Sequence, residues 1–134
     1  MFIDTNVFLY TLGADHPMRD GSTALIVALG EGELDGVTNA EVLQELLHVL
    51  SRRSRMASAS QLVLHVTRLV DVLAVDLETM RDAARLLGSD LGLGSREAVH
   101  VASMRRAGIH EIVSADRGFD RVPGVVRRSP DEFA

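Results

Sequence analysis

The segment MFIDTN, residues 1–6, governs the interpretation of this chain because an apolar strand runs directly into an acid and two small polar residues. Three further acids, Glu45, Glu97 and Asp116, stand at comparable points, beside the ends of predicted strands or on helices that pack against them. A single acid after a strand has many structural roles. Four acids delivered to one edge of a sheet indicate a site for a divalent cation.

The composition indicates one globular domain, residues 1–134, that is long enough to bury a core. The sequence is 46% hydrophobic and 25% charged, and no apolar run approaches the roughly 20 residues that a membrane span requires. No secretory signal is visible, and the absence of cysteine excludes disulfides, thiolate metal sites and thiol nucleophiles. We therefore expect a cytoplasmic protein without membrane contact.

All 14 basic residues are arginine. The lack of lysine excludes Walker-type phosphate loops, Schiff-base chemistry and enzymes that place a lysine beside a phosphorylated aspartate. The net charge of −5 is not typical of a nucleic-acid-binding domain, although acids at a metal site contribute to it. Three arginine clusters are interpreted either as solvated helix ends and loops or as contacts for an anionic partner. They are Arg52, Arg53 and Arg55, then Arg105 and Arg106, then Arg127 and Arg128.

Short apolar strands alternate with helices along the chain. The predicted strands cover residues 2–3, 36–38, 72–75, 111–114 and 125–127. The predicted helices cover residues 6–12, 25–29, 40–51, 59–70, 77–87 and 96–107. This alternation is typical of a parallel sheet covered on both faces, and ligands of such sheets bind beyond the carboxyl ends of the strands.

Two aspartates leave this edge of the predicted sheet. Asp4 follows the first strand, and Asp116 follows the fourth strand by two residues. Each also has a purely structural interpretation, as the cap of the next helix or turn. Their shared edge favours a functional site.

Two glutamates compete for a place beside them. The segment TNAE, residues 38–41, has the form of a capping box, which gives Glu41 a structural role at the start of a helix. Glu45 lies one turn further on and borders the apolar stripe of that helix. An acid there costs stability unless it finds a partner, either a metal ion or an arginine such as Arg52.

Glu97 stands in the first turn of a helix that Ser95 is predicted to cap. The helix dipole favours an acid at this position, but the spacing to Val101 and Met104 turns Glu97 toward the packed side. Asp120, four residues after Asp116, is interpreted as a turn cap or as a support for the site.

The remaining candidates are histidines. His48 and His100 lie on amphipathic helices without the spacing of zinc enzymes, so they are interpreted as packed or surface residues. Carboxylates without cysteine select Mg²⁺, with Mn²⁺ as the alternative. Because magnesium usually meets its substrate through phosphate oxygens, hydrolysis of a phosphodiester is the expected reaction.

Four segments resemble, in order along the chain, the four motifs of PIN domains, and the chain is similar to the small single-domain VapC-type toxins of bacterial toxin–antitoxin systems. The segments are FIDTNV (residues 2–7), TNAEVLQEL (38–46), SREAVHVA (95–102) and VSADRGFD (113–120). The family's four acids and two supporting polar residues match Asp4, Glu45, Glu97 and Asp116, and Asn6 and Ser114.

The resemblance implies a metal-dependent endoribonuclease with an α/β/α sandwich fold around a mostly parallel sheet of four to five strands, usually a homodimer. It implies structured RNA, such as transfer RNA or ribosomal RNA loops, as the substrate. It also implies a small antitoxin partner whose C-terminal segment lies across the active site.

One position departs from the family pattern, because the third motif usually carries aspartate where this chain has Glu97. The carboxylate then lies one methylene further from the backbone, whereas Mg²⁺ demands near-ideal octahedral geometry. A catalytically weak or inactive module that binds RNA or antitoxin is therefore the main alternative. A different metal-dependent phosphoesterase, acting on DNA or a small phosphate, is the other.

Overall fold

The computed structural model describes residues 1–53 and 56–134, so Arg55 of the first arginine cluster lies outside the described residues. Within this part of the chain, five short strands form one parallel sheet in the order β3-β2-β1-β4-β5. The strands are β1 Phe2–Ile3, β2 Val37–Asn39, β3 Asp71–Leu73, β4 Glu111–Val113 and β5 Val126–Arg128. The predicted α/β fold with a mostly parallel sheet is confirmed.

Helices connect the strands. They are α1 Thr5–Tyr10, α2 Arg19–Gly30, α3 Ala40–Arg53, α4 Met56–Leu69, α5 Leu77–Leu87 and α6 Ser95–Arg106, with 3₁₀ helices at Arg117–Arg121 and Pro130–Phe133. The bounds of α5 coincide with the prediction because Asp76 caps its first turn, where Asp76 Oδ1 accepts the backbone N–H of Thr79 at 2.9 Å. In the described residues no helix has both the length and the apolar character needed to cross a membrane.

The order in which the chain adds strands to the sheet reverses between β1 and β4. From β1 the chain moves outward to β2 and β3, then returns across the sheet to β4 and β5. Right-handed crossovers put α1 to α4 on one face of the sheet and α5 and α6 on the other. The crevice beyond the carboxyl ends of β1 and β4 is therefore the switch point where ligands of open α/β sheets bind.

The central strands β1 and β4, which end at this crevice, are apolar on both faces. Phe2, Ile3, Ile112 and Val113 are fully buried, as expected for a parallel sheet covered on both sides. Each such side chain contributes about 1.5–3 kcal/mol of hydrophobic stabilisation. The helices complete the core with Val7, Leu25, Val42, Leu46, Val101 and Met104.

Two predicted helix caps are wrong. Asn39, the last residue of β2, caps α3 in place of a Thr38–Glu41 capping box, because Asn39 Oδ1 accepts the Val42 backbone N–H at 3.0 Å. The Thr38 hydroxyl is used within the sheet instead, where it donates to the Ile3 carbonyl at 3.0 Å. Ser95 is the first residue of α6 rather than its cap, and Gly94 holds the N-cap position without a side-chain hydrogen bond.

Candidate active site at the carboxyl edge of the sheet

Asp4 lies buried where β1 passes into α1. Its backbone N–H donates to the Val113 carbonyl at 3.1 Å, which extends the pairing of β1 with β4 by one residue. Its side chain caps α1, because Oδ1 accepts the Thr5 backbone N–H at 2.7 Å. The Asp4 carboxylate therefore caps α1 at the carboxyl edge of the sheet, and its role in a site stays a prediction.

Ser114, directly after β4, connects the two central strands through its hydroxyl. Ser114 Oγ donates to Asp4 Oδ2 at 2.5 Å and accepts the Asp116 backbone N–H at 3.0 Å. Asn6 completes the network, since its Nδ2 donates to Asp4 Oδ2 at 2.9 Å and to Ser114 Oγ at 3.1 Å. Asn6 and Ser114, two of the three residues predicted to support the site, thus fix the orientation of Asp4.

Glu45 reaches the same edge from α3. Its Oε2 accepts the Thr5 hydroxyl at 2.7 Å, and its Oε1 accepts Arg96 Nη1 at 3.1 Å. Arg96 Nε lies 3.8 Å from Glu41 Oε1, so the guanidinium stands between the two glutamates. Glu45, rather than Glu41, is the glutamate that contacts the residue next to Asp4.

The other two predicted acids differ in their placement. Asp116 is exposed at the start of the 3₁₀ helix Arg117–Arg121, where its Oδ1 accepts the Gly118 N–H at 2.8 Å. The half-buried Glu97 carboxylate folds over Gly94 at the start of its own helix, where a Cβ on Gly94 would collide with it. We call Asp4, Glu45 and Asp116 the acidic edge; Glu97 stands at its margin.

The ionisation of Asp4 reports the electrostatics of this edge. Burial raises the pKa of Asp4 to about 6, hydrogen bonds from Ser114 and Thr5 oppose the rise, and the charges of Glu45 and Asp116 add to it. Ionised Asp4 is therefore disfavoured by both desolvation and like charge, which a bound cation would relieve.

His100 is a site residue that the sequence interpretation missed. It is buried on α6, with Nε2 3.6 Å from Asp4 Oδ1. Asn39 Nδ2 lies 3.2 Å from His100 Nδ1, and because Asn39 Oδ1 accepts from Val42, the amide nitrogen must donate to the ring. Burial lowers the pKa of His100 to about 4, so a neutral ring presents its Nε2–H toward Asp4. The only sequence signal was its position one turn after Glu97.

Asp120 reaches the site indirectly. Its carboxylate accepts Arg127 Nε at 2.8 Å and Arg127 Nη2 at 3.3 Å. The same guanidinium donates from Nη1 to the Ser114 carbonyl at 2.9 Å. Asp120 therefore orients an arginine of β5 that holds the backbone of Ser114.

The acids of this edge fit a hard divalent cation by their chemistry, because all the charged donors are carboxylate oxygens. Within residues 1–53 and 56–134, no three acidic or histidine side chains are grouped closely enough to hold a metal ion. Thr5 and Arg96 engage both oxygens of Glu45, and Glu97 turns toward Gly94. The carboxylates therefore lie at one edge of the sheet, but in the described residues they do not converge on one point.

These features define a class of protein: a parallel α/β domain with a buried aspartate at the switch point and further carboxylates on the adjoining elements. A family model described as the PIN domain matches residues 1–125. The chain belongs to the PIN-domain family.

The chain is also similar to individual members of this family. Ribonuclease VapC13 of Mycobacterium tuberculosis is 36% identical over 132 residues, which cover 95% of this chain and 98% of that protein. Among solved structures, M. tuberculosis VapC20, described as a sarcin-ricin loop cleaving toxin, superposes with a TM-score of 0.70 at 20% identity, over 87% of this chain and 89% of that one. The VapBC-1 structure from nontypeable Haemophilus influenzae gives 0.71 at 12% identity over 96% of both chains. The structural likenesses show the shared fold.

Proposed function

We propose that this protein is a metal-dependent endoribonuclease, the toxin of a VapBC-like pair, which hydrolyses phosphodiester bonds in structured RNA in the cytoplasm. The observation that carries the proposal is the buried Asp4 at the switch point, whose pKa is raised by burial and by the charges of Glu45 and Asp116. The ribonuclease names of its relatives support the same reaction class.

Asp4, Glu45, Glu97 and Asp116 would hold Mg²⁺, or alternatively Mn²⁺. A bound cation of this kind supplies Lewis-acid chemistry for phosphodiester hydrolysis. The protein's own part is to hold the acids in place. Ser114, Thr5 and Asn6 fix both oxygens of Asp4, which lowers the cost of ordering the site when substrate arrives.

RNA cleavage by the purified protein, freed of any bound antitoxin, tests the proposal. Unsubstituted protein, Asp4→Asn and the exposed control Asp90→Asn are compared in EDTA, Mg²⁺ and Mn²⁺ on structured RNA and on DNA of the same sequence. We expect metal-dependent RNA cleavage that Asp4→Asn abolishes and Asp90→Asn retains. Folded protein that cleaves no RNA with either metal would contradict the proposal, and equal cleavage of DNA would favour the general phosphoesterase.

The placement of Glu97 favours the non-catalytic binding module as the second candidate, because its carboxylate lies against Gly94 at the start of its own helix. The variant Glu97→Asp separates the two functions. A weakly active nuclease gains cleavage rate when the shorter family residue is restored. A binding module shows no turnover in either form and retains RNA binding when Glu45 is replaced.

We also propose an antitoxin partner, because structures of similar fold include a toxin–antitoxin complex from Klebsiella pneumoniae and VapBC-1 from Haemophilus influenzae, and because one surface of this chain suits such a partner. A groove of about 820 Å³ between α1, α3 and α4 is lined by apolar Leu9, Leu12 and Leu62 and by basic Arg53 and Arg68. This lining complements an amphipathic antitoxin segment with acidic residues beside its apolar face.

Inhibition by the cognate antitoxin tests this surface. We expect Leu12→Glu to weaken inhibition, whereas Leu87→Glu on α5 leaves it unchanged; both leucines are 50% exposed in the free chain. Equal inhibition of both variants would contradict the assignment of the groove.

We also propose a homodimer, supported by the exposed side chains of Leu47 on α3 and Met56 on α4. Light scattering measures the oligomeric state, and a monomer would contradict the proposal.

A further inference from the structure

We propose that Arg96 binds a phosphate group of the RNA substrate at the acidic edge. The inference rests on the proposed function, because it names a contact that a ribonuclease of this kind needs. RNA carries a negative charge on every phosphate, and a site built from carboxylates repels it. A positively charged side chain beside the acids would reduce this repulsion in addition to any bound metal ion.

Arg96 stands at that position. Its Nη1 lies 3.1 Å from Glu45 Oε1, and the other oxygen of Glu45 accepts the hydroxyl of Thr5, the neighbour of Asp4. Among the described residues 1–53 and 56–134, Arg96 is the one arginine that forms an ion pair with any of the four predicted site acids. The first turn of α6 thus delivers a positive charge to the edge of an otherwise acidic site.

The second arginine near the site is committed to the fold. The Arg127 side chain is 14% exposed and donates to both Asp120 oxygens and to the Ser114 carbonyl. The Arg96 side chain is 46% exposed, and its Nε lies 3.8 Å from Glu41, beyond hydrogen-bond distance. Arg96 therefore has N–H donors that can reach a ligand, and its planar fork matches a phosphate group.

The pair with Glu45 is one that substrate can rearrange. The Arg96 side chain is 46% exposed and the Glu45 side chain 18% exposed, so water screens chiefly the arginine end of the pair, and the solvent-facing donors of the guanidinium can turn toward a phosphate. Glu45 then acts on RNA binding in the opposite sense to Arg96, since its charge holds the arginine at the protein. This opposition distinguishes a substrate contact from a structural link between α3 and α6.

Equilibrium binding of a fluorescein-labelled RNA hairpin tests the inference. The measurements use the cleavage-blocked Asp4→Asn protein in EDTA, with anisotropy recorded from about 50 to 200 mM salt. We expect Arg96→Ala to raise Kd about 5- to 10-fold and to reduce the slope of log Kd against log salt by about 0.7–0.9. Arg96→Lys retains most of the slope. The control Arg81→Ala, which removes an exposed arginine paired with Glu78 on α5, changes neither quantity.

Glu45→Gln provides the opposite test. It should tighten RNA binding more in the Arg96 protein than when Arg96 is already alanine, because the alanine background retains only the relief of direct repulsion. Circular dichroism and thermal unfolding accompany each variant, and Arg96→Gln replaces any alanine variant that fails to fold.

A Kd within about twofold of the parent and an unchanged salt slope for Arg96→Ala would overturn the inference, whether or not the melting temperature falls. If the unsubstituted protein cleaves RNA in Mg²⁺ while Arg96→Ala binds normally, only the role of Arg96 fails. If the protein neither binds nor cleaves RNA, the proposed function fails with it.

Discussion

Asp4 carries its charge at a cost to the folded state. Burial is the main reason that its pKa rises from 3.8 to about 6. Between these values the folded protein binds more protons than the unfolded chain, so stability falls as pH rises from about 4 to about 6 and stays reduced above that range. A shift of this size corresponds to about 3 kcal/mol.

Replacing Asp4 by asparagine should therefore stabilise the metal-free protein at neutral pH. We expect the free energy of unfolding at pH 7 in EDTA to rise by up to about 3 kcal/mol, less any hydrogen-bond mismatch with Asn6. Urea unfolding measures the change, and Asp90→Asn should match the unsubstituted protein. A marked loss of stability in Asp4→Asn would show that the carboxylate is needed for folding.

His100 gives the opposite pH dependence. Burial lowers its pKa from 6.5 to about 4, so the stability it contributes is present above pH 6.5 and is lost as pH falls toward 4. The two trends oppose each other in the unsubstituted protein between pH 4 and 6. In Asp4→Asn the His100 trend remains alone, so we expect the free energy of unfolding of this variant to fall as pH drops from 6.5 to 4. A variant whose stability is constant or rises over that range would contradict this sign.

Single residues show where sequence reasoning succeeds and where it stops. The motif order predicts Asp4, Glu45, Glu97 and Asp116, and the structure gathers three of these acids at one edge; their role stays a prediction. Thr5, Arg96 and His100 could not be assigned, because their contacts join helices that are distant along the chain. Nothing in the local pattern around a helical histidine states which side chain lies opposite it.

At the scale of elements, β5 supports the site through one arginine. The edge strand carries Arg127, which connects Asp120 to the carbonyl of Ser114, while the Ser114 hydroxyl holds Asp4. Partners of this kind keep a ligand carboxylate in position without touching the substrate.

Loss of this link should affect activity more than the position of Arg127 on an edge strand indicates. We expect Arg127→Ala to reduce RNA cleavage by about 10- to 100-fold and to lower the melting temperature. The neighbouring Arg128→Ala, which loses pairs with Glu111 and Glu132 and the contact with the Phe133 ring, should retain full cleavage. Equal activity of both variants would contradict a supporting role for Arg127.

Element types were predictable because apolar runs and glycine breaks mark them, and the bounds of α5 were predicted to the residue. The starts of α3 and α6 were mistaken. At α3, Thr38 and Asn39 both have side chains that can cap a helix, but the Thr38 hydroxyl donates a hydrogen bond within the sheet instead. At α6, Gly94 takes the cap position, Ser95 begins the helix, and the Glu97 carboxylate lies against Gly94.

At the scale of the whole molecule, the strand order makes the site. Only the return of the chain from β3 to β4 brings Ser114 and Asp116 beside Asp4. The alternation of strands and helices predicted the parallel sheet, whereas strand order depends on pairings that no single segment specifies. The assignment of residues 1–134 to one domain stays a prediction.

The 3₁₀ helix Pro130–Phe133 packs against α2. Gly21 packs so tightly on the 3₁₀ helix Pro130–Phe133 that a Cβ at this position would overlap the Pro130 carbonyl. We expect Gly21→Ala to destabilise the fold by about 1–3 kcal/mol in urea unfolding. Gly30→Ala in the same helix meets only ordinary contact with Leu69 and should be neutral or stabilising. Equal stability of the two variants would contradict the tight packing.

Calorimetric titration of Mn²⁺ into the metal-free protein shows whether the acids at the switch point form a cation site. At pH 6, binding should release about half a proton per site, because the pKa of Asp4 is raised to about 6 and ligands must be deprotonated. Buffers of different ionisation enthalpy measure that release. We predict saturable binding with proton release in the unsubstituted protein and in Asp90→Asn, and its loss in Asp4→Asn. The absence of saturable binding, or the same titration in all three proteins, would contradict such a site.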